Sequence, residues 1–232
     1  MKIAHLYPEL LNLYGDRGNI LAMTKRLEWR GIDAEVVRVL DGDNVLFSDF
    51  DIVFLGGGSD REQEIVAQNL SRLRDSLSEY VEQNGVVLAI CGGYQLLGEY
   101  YQMGDEQIEG LGILKVTTER GERRMIGNAA IKADFLDRPI VGFENHGGAT
   151  RLNGHTPLGK VIFGHGNNGT DGAEGVRYKN VFGTYLHGPL LPKNPHFCDY
   201  ILECANAELT PLDDAVELRA NDYVQARYKP QK

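Results

Sequence analysis

Cys91 is the residue of this chain best suited to covalent chemistry, because of the pattern on either side of it. An apolar run, 86–90, ends at Cys91, and Gly92 and Gly93 follow before a helical pattern begins. This order is typical of a nucleophile elbow, a sharp strand-to-helix turn that requires small neighbours. A helix N-terminus also favours the thiolate over the thiol. The pattern therefore predicts Cys91 as a nucleophile, with the Gly92 N–H directed at a developing oxyanion.

The alternative for Cys91 is an inert place in the hydrophobic core. Cysteine is among the residue types most often buried, so this is the default for an isolated cysteine. A core cysteine does not need two glycines after it, however, and the flanking pattern favours the elbow.

A second glycine cluster, 56–58, follows another apolar run, 51–55. Three glycines allow the backbone to approach a ligand closely. A phosphate cradle is one interpretation, but the GxxxxGK[ST] pattern is missing. A plain tight turn is another. In combination with Cys91, the cluster is better explained as the source of a second oxyanion N–H, from Gly57 or Gly58.

A cysteine nucleophile needs a histidine base nearby in space. The chain has six histidines. His187 ends a strand-like run and precedes a Gly-Pro break, and the ends of parallel strands gather at one edge of a sheet. His187 is the predicted base, and His146 is the second candidate, with a pocket-shaping role as its alternative.

The elements that must position these residues alternate between strands and helices. Apolar runs predict strands, and helical spacing predicts helices at about 20–30, 66–81 and 93–101. The predicted strands are 3–7, 34–40, 51–55, 86–90, 111–117, 126–133, 140–143, 160–164 and 176–186. The order indicates an α/β fold, a mostly parallel sheet with helices on both faces. We expect a single domain over 1–232, with a core to about 205 and a helical segment over about 206–232.

Composition excludes several classes of function. The 232 residues are 42% hydrophobic and 25% charged, as in ordinary globular proteins, and the net charge of −9 disfavours nucleic acid or anionic lipid as a ligand. No apolar stretch approaches the length of a membrane span, and no signal peptide is recognisable. Three cysteines without CxxC spacing favour reduced thiols over a zinc site. We therefore expect a cytoplasmic protein without a metal or cofactor.

Seven motifs together resemble the class I, or triad-type, glutamine amidotransferases of flavodoxin-like fold. The resemblance is greatest in the cobyric-acid-synthase-like branch, and there to the glutaminase subunits of lipid II isoglutaminyl synthases. The motifs are LNLYGDRGN (11–19), FLGGGSDREQ (54–63), AICGGYQLLG (89–98), EGLGIL (109–114), GFENHGG (142–148), FGHGNN (163–168) and YKNVFGTYLHGPLLPKN (178–194).

The resemblance implies roles for individual residues. Cys91 would be the nucleophile and His187 the base, and Arg124 would bind the glutamine carboxylate as a two-pronged clamp. By composition alone, Arg124 is indistinguishable from the neighbouring Arg123 and equally compatible with a solvated surface charge. The remaining predicted substrate-binding residues are Gly57, Gly58, Gly92 and Gln95.

The chain departs from the wider family after the histidine. Many members have a glutamate two residues further on, where this chain has Pro189. The expectation is therefore a Cys–His dyad, with the imidazole oriented by a group from elsewhere.

The resemblance also implies the reaction and the partner. L-Glutamine would be hydrolysed to glutamate and ammonia, and an ATP-dependent, Mur-ligase-like subunit (MurT) would use the ammonia to amidate the D-glutamate of the lipid II stem peptide, a step of peptidoglycan synthesis. Three alternatives remain open: a glutaminase subunit for corrinoid amidation, a non-catalytic flavodoxin-like binding module, and a cysteine hydrolase of the PfpI or DJ-1 kind.

Overall fold

A computed structural model describes residues 1–103 and 106–228, and the strands of this part form two sheets. The first sheet contains, in spatial order, β11 (Val176–Tyr178), β12 (Val181–Thr184), β4 (Val86–Ile90), β3 (Ile52–Leu55), β1 (Lys2–Leu6) and β2 (Glu35–Val39). All its neighbouring pairs are parallel except β11 with β12. The mostly parallel sheet predicted from the sequence is confirmed.

The central strands of this sheet are short apolar runs because both of their faces are covered. Every residue of β3, β4 and β12 is buried. Parallel strands covered on both faces by helices have this continuous apolar pattern. The helices are α1 (Arg17–Glu28), α2 (Asp60–Leu70), α3 (Arg74–Glu82), α4 (Gly92–Leu97), α5 (Pro195–Cys204) and α6 (Ala215–Tyr228).

Apart from the strand expected over 176–186, which is divided into the antiparallel strands β11 and β12, three predicted elements differ from the structure. The helix expected over 66–81 is broken between α2 and α3 by a 3-10 turn, Ser71–Leu73. The helix expected over 93–101 ends at Leu97, because Gly98 is extended and its backbone packs against Val116, where a Cβ would lie 2.7 Å from the carbonyl oxygen.

The third difference is the strand expected over 111–117, of which only Thr117 is in a strand. The other residues form a loop that caps α4. The Leu111 N–H donates to the Leu96 carbonyl at 2.8 Å, and the Leu114 N–H donates to the Leu97 carbonyl at 2.9 Å. Carbonyls at a helix C-terminus need such partners, and here they outweigh strand pairing.

The second sheet is mainly antiparallel, and its strands lie in the chain between β4 and β11 of the first sheet. Its strands are β5 (Tyr100–Met103), β6 (Glu106–Glu109), β7 (Thr117–Lys132), β8 (Ile140–Arg151), β9 (Gly159–Phe163) and β10 (Ala173–Glu174). The long strands β7 and β8 pair with each other, and their register shifts between Arg120 and Met125. The sequence pattern predicted shorter strands here and did not indicate a separate sheet.

The C-terminal part is helical as expected, with a non-helical interval between α5 and α6. Buried Arg26 of α1 holds both sides of this interval, through Asp199 and Asp214 at 2.6 Å each. Residues 229–232 of the predicted helical segment lie outside the described part of the chain. In that part, no helix is both long and apolar enough to cross a membrane.

Candidate active site

Cys91 lies at the turn between β4 and α4 in a strained backbone conformation. Its φ is 49° and its ψ is −103°. A positive φ is uncommon for a residue with a side chain and persists only where the surroundings enforce it. Two hydrogen bonds do so: the Cys91 N–H donates to the Thr184 carbonyl at 2.7 Å, and the Gln95 N–H donates to the Cys91 carbonyl at 3.0 Å. The predicted elbow is present.

Gly93 allows the elbow to touch the neighbouring glycine loop. Its N–H donates to the Gly56 carbonyl at 3.1 Å. A Cβ at this position would lie 2.7 Å from the Leu55 Cβ and 2.8 Å from the Gly56 oxygen, too close for any side chain. The requirement for glycine at position 93 is therefore a packing requirement between the start of α4 and the end of β3.

His187 lies just beyond β12 and is fully buried. The backbone N–H of His187 donates to the Phe143 carbonyl at 2.8 Å, which fixes this segment against β8. A Cβ built on Gly57 would lie 3.3 Å from the Cys91 Cβ and 3.6 Å from the His187 Cε1. The predicted nucleophile and base thus both lie next to Gly57, although they are 96 positions apart in the chain.

The imidazole of His187 is held in its neutral form. Burial, together with the smaller effects of the neighbouring His146, Arg124 and Lys193, lowers its pKa to about 4. A neutral imidazole can accept a proton from a thiol, as a general base must.

A cavity of about 620 Å³ opens over Cys91. Its size falls in the range of pockets that enclose small molecules. The lining residues come from the elbow, the glycine loop and the second sheet: Leu13, Gly58, Ser59, Gln63, Cys91, Gln95, Tyr101, Gln102, Arg120, Gly121, Glu122, Arg123, Arg124, Asn145, His146, Gly147 and Gly148.

Four of the predicted site residues line this cavity: Cys91, Gly58, Gln95 and Arg124. The other three, His187, Gly57 and Gly92, do not. The Gly57 N–H donates to the Asp16 Oδ2 at 2.7 Å, so this donor faces a protein carboxyl. Within the glycine loop, Gly58 is the residue that borders the cavity.

Arg124 projects from the irregular part of β7 and is exposed. Its Nε donates to the Asn145 Oδ1 at 2.5 Å. This contact sets the direction of a flexible side chain at the cavity wall. Arg123 also lines the cavity, so position alone does not separate the two arginines.

Gln95 is fixed by a buried hydroxyl network below the cavity. Its Nε2 donates to the Tyr185 hydroxyl at 3.1 Å, and that hydroxyl is 2.6 Å from the Thr150 Oγ1. The His146 ring stacks on the Tyr185 ring with 3.6 Å between centroids, and burial lowers the pKa of His146 to about 4. Gln95 and His146 therefore present rigid polar groups to a ligand.

Three residues of this site were not among the residues predicted from the sequence: Asp16, Gln63 and Tyr185. The Gln63 Nε2 donates to the Gly58 carbonyl at 3.0 Å and packs against Gly92, so it joins the glycine loop to the elbow. All three fall in motifs that carry the family resemblance, which was the one available signal.

Comparison with known proteins gives a consistent result across the chain. Residues 2–195 match the model of the CobB/CobQ-like glutamine amidotransferase domain. The chain is 44% identical to the lipid II isoglutaminyl synthase (glutamine-hydrolyzing) subunit GatD of Staphylococcus aureus, with 100% of this chain and 98% of that protein covered. It is 46% identical to GatD of Streptococcus pneumoniae, over 84% of this chain and 76% of that protein.

More distant similarity extends to larger proteins and to solved structures. A probable cobyric acid synthase of Methanococcus maripaludis is 31% identical over 81% of this chain, which spans 40% of that protein. A chain in the structure of PurLQS from Thermotoga maritima superposes with a TM-score of 0.60 at 17% identity, over 88% of this chain and 97% of that chain. The glutaminase domain of Trypanosoma brucei CTPS, solved with bound acivicin, superposes with a TM-score of 0.55 at 10% identity, over 90% of this chain and 96% of that chain. At these identities the structures bear on the fold alone.

Proposed function

The chain belongs to the CobB/CobQ-like glutamine amidotransferase family, and on this basis we propose that it is the glutamine-hydrolysing subunit of a lipid II isoglutaminyl synthase. The observation that carries the proposal is the 44% identity to a GatD subunit over the full length of both chains. The cobyric acid synthases match less closely and are much longer, since this chain spans 40% of the one described above. Corrinoid amidation is therefore the weaker assignment.

In the proposed reaction, the Cys91 sulfur attacks the side-chain amide carbon of L-glutamine. His187 accepts the thiol proton, and a tetrahedral oxyanion forms. The C–N bond then breaks, and the leaving nitrogen takes the proton from His187 and departs as ammonia. A glutamyl thioester remains on Cys91. Water, deprotonated by His187, cleaves the thioester to glutamate and the thiol.

The oxyanion requires two fixed donors. The Gly92 N–H at the start of α4 is one, and the Gly58 N–H is the proposed second, because Gly58 borders the cavity and the Gly57 N–H faces Asp16. Removal of one such donor typically lowers kcat by about 100-fold or more. Gln63 contacts both loops and keeps the two donors at a constant separation.

Arg124 is the proposed anchor for the glutamine α-carboxylate. A guanidinium can bind a carboxylate through two parallel hydrogen bonds. Its Nε contact with Asn145 holds the guanidinium at the wall of the cavity. Gln95, fixed by Tyr185, is a second polar contact for the substrate.

The proposed partner is an ATP-dependent, Mur-ligase-like subunit (MurT) that amidates the lipid II stem peptide in the cytoplasm. The relatives from Staphylococcus aureus and Streptococcus pneumoniae are both named as the GatD subunit of a lipid II isoglutaminyl synthase. The net charge of −9 fits a chain that leaves a lipid-linked substrate to its partner.

Glutamate release from L-glutamine tests the proposal, for the purified chain alone and with the Mur-ligase-like subunit, and with Cys91→Ala as control. We expect release that the partner increases and that Cys91→Ala abolishes without loss of the folded structure. Unchanged turnover by Cys91→Ala would refute the nucleophile. An inactive wild-type chain in both conditions would refute the glutaminase. Amidation of lipid II by the pair, measured by mass spectrometry, tests the acceptor.

A further inference from the structure

Tyr185 is held from three sides below the cavity that opens over Cys91. Its side chain is fully buried, and its backbone N–H donates to the Glu174 Oε1 at 2.7 Å. The His146 ring stacks on the Tyr185 ring with 3.6 Å between centroids, and the Tyr94 ring meets it edge to face at 5.3 Å. The position of the Tyr185 hydroxyl is therefore fixed by packing before any ligand binds.

A chain of hydroxyl groups extends from Tyr185 into the second sheet. The Tyr185 hydroxyl lies 2.6 Å from the Thr150 Oγ1, and that oxygen lies 2.7 Å from the Thr118 Oγ1. The same Tyr185 hydroxyl accepts the Gln95 Nε2–H at 3.1 Å. All four side chains are buried. Since an amide nitrogen only donates, the Tyr185 proton is directed to Thr150 and the Thr150 proton to Thr118.

Gly148 shows how closely the backbone of β8 covers this network. A Cβ built on it would lie 2.5 Å from the Thr118 Cγ2, 2.8 Å from the Gln95 Nε2 and 3.3 Å from the Tyr185 hydroxyl. The Nε2 end of the Gln95 amide is therefore enclosed by protein. Because Gln95 also lines the cavity, the opposite end, Oε1, is the end that remains for a ligand.

We propose that Tyr185 is a positioning residue that sets the direction of the Gln95 amide, so that Gln95 offers its Oε1 as an acceptor to an N–H donor of the substrate. The inference rests on the proposed function and deepens it. L-Glutamine carries two such donors, its α-ammonium and its side-chain amide nitrogen. Without the Tyr185 hydroxyl, the Gln95 amide could flip end for end and present its donor instead, because its oxygen and nitrogen are similar in shape.

The place of Gln95 in α4 supports this role. Gln95 follows Cys91 by four positions, so the two side chains lie on the same side of the helix, one turn apart. The three arginines that line the cavity, Arg120, Arg123 and Arg124, can only donate hydrogen bonds. A substrate with N–H donors therefore needs an acceptor from another residue, and Gln95 supplies one within a helical turn of the nucleophile.

Kinetics of Tyr185→Phe provide the first test, because this change removes only the hydroxyl. We expect KM for L-glutamine to rise about threefold to tenfold and kcat to change less than about twofold, since a hydrogen bond that orients a binding group is lost. Wild-type KM in Tyr185→Phe would overturn the proposal.

The matched control is Tyr94→Phe, which removes another fully buried tyrosine hydroxyl beside the same ring. That hydroxyl has no hydrogen-bond partner among the described residues. Tyr94→Phe should therefore leave KM and kcat within about twofold of wild type. A rise in KM equal to that of Tyr185→Phe would mean that loss of any buried hydroxyl at this place is enough, and would overturn the proposal.

A double-mutant cycle separates the orientation of Gln95 from a merely structural effect. In a Gln95→Ala background, Tyr185→Phe should change KM by less than about twofold, because Tyr185 acts through Gln95. An equal rise in KM with and without Gln95 would overturn the proposal. Where Tyr185→Phe does not fold, Thr150→Val takes its place in the cycle. It removes the acceptor of the Tyr185 proton at nearly constant shape, and the same dependence on Gln95 is expected.

Glutaramate, which is L-glutamine without its α-ammonium, identifies the donor that Gln95 receives. Its Ki is measured from the inhibition of glutamate release, to which its own hydrolysis does not contribute. If the donor is the α-ammonium, Tyr185→Phe should raise KM for L-glutamine and leave this Ki unchanged. If the donor is the amide nitrogen, the Ki should rise together with KM. Either result supports the acceptor role of Gln95 and assigns its donor.

Solvent exchange of the Gln95 side-chain amide, followed by NMR in the ligand-free chain, does not depend on glutaminase activity. The signals of this amide are assigned by their absence in Gln95→Ala. We expect exchange to be about 10-fold slower in wild type than in Tyr185→Phe, because only the wild-type hydroxyl accepts the Nε2–H. Equal exchange would overturn the proposal.

The two failures are distinguishable. A chain that releases no glutamate, but whose Gln95 amide is protected by Tyr185, would refute the proposed function and keep the positioning role. An active chain whose Gln95 amide exchanges equally in both variants would keep the function and overturn the positioning role.

Discussion

The two sheets contribute to the site in different ways. The first sheet places Cys91 and His187 in a buried frame, where their exposed fractions are 8% and 0%. The second sheet places Arg124 on an irregular stretch of β7 that is open to solvent. Bond-making groups need fixed geometry and a dry environment, whereas a binding group must meet a solvated substrate. If Cys91, His187 and Arg124 have the proposed roles, reactivity comes from the parallel sheet and recognition from the antiparallel one.

His187 and His146, the two histidines considered as the base, provide the largest expected contrast. His187→Gln should lower kcat by about 1,000-fold, because the proton acceptor of the first sheet is lost. His146→Gln on the second sheet loses the stacking on Tyr185, and we expect less than a 10-fold effect on kcat, with the larger change in KM. Steady-state glutamate release measures both. Equal losses of kcat would mean that His146 shares the chemistry.

Two glycines compare the rigidity of the two regions. Gly93→Ala must displace the Leu55 side chain or the Gly56 carbonyl, so we expect a loss of about 1–3 kcal/mol in the free energy of unfolding. Gly147→Ala, on the second sheet, meets no atom within 4 Å and should change stability by less than about 0.5 kcal/mol. Urea unfolding at pH 7 measures the difference. A tolerated Gly93→Ala would contradict the packing described for the elbow.

The two arginines of β7 test the recognition side. Arg124→Ala should raise KM for glutamine by about 10-fold to 100-fold with a smaller change in kcat, because a carboxylate anchor is removed. Arg123→Ala is the matched control and should remain within about twofold. If both variants behave alike, Arg124 is a surface charge.

A pH-dependent stability effect is the smallest one expected. Burial raises the pKa of Glu174 from its ordinary value of 4.5 to about 8. The folded state thus binds the proton more tightly, so the stability that this proton contributes is complete below pH 4.5 and is lost as the pH rises towards 8. Glu174→Gln should therefore gain roughly 2 to 4 °C in Tm relative to wild type between pH 5 and pH 8. A difference in Tm between the variant and wild type that stays constant from pH 5 to pH 8 would contradict this raised pKa of Glu174.

Features that depend only on neighbouring residues in the chain could be predicted from the sequence. The run 86–90 followed by Cys91 and two glycines defines an elbow without knowledge of any distant contact, and the structure contains it. The second sheet was not predicted, because the pairing of β5 with β7 and of β7 with β8 depends on contacts remote in the chain. Asp16 could not be predicted for the same reason, because its carboxyl accepts the N–H of Gly57, a residue 41 positions away in the chain.

The resemblance to a known family supplied what composition could not. Arg123 and Arg124 are equivalent by type and both line the cavity, but Arg124 alone of the two hydrogen-bonds Asn145 and acts on the imidazoles of His187 and His146. The early end of α4 was missed because helical spacing continues to Tyr101, while the packing of Gly98 on Val116 decides where the helix stops.

Covalent labelling by an electrophilic analogue of glutamine, a diazo ketone, tests the central claim most directly. Intact mass and peptide mapping should find one adduct, on Cys91, and excess L-glutamine should prevent it. Burial raises the pKa of both other thiols, Cys198 and Cys204, which should remain unlabelled. An adduct on Cys198 or Cys204, or glutamate release from a chain whose Cys91 never reacts, would contradict the assignment of Cys91 as the nucleophile.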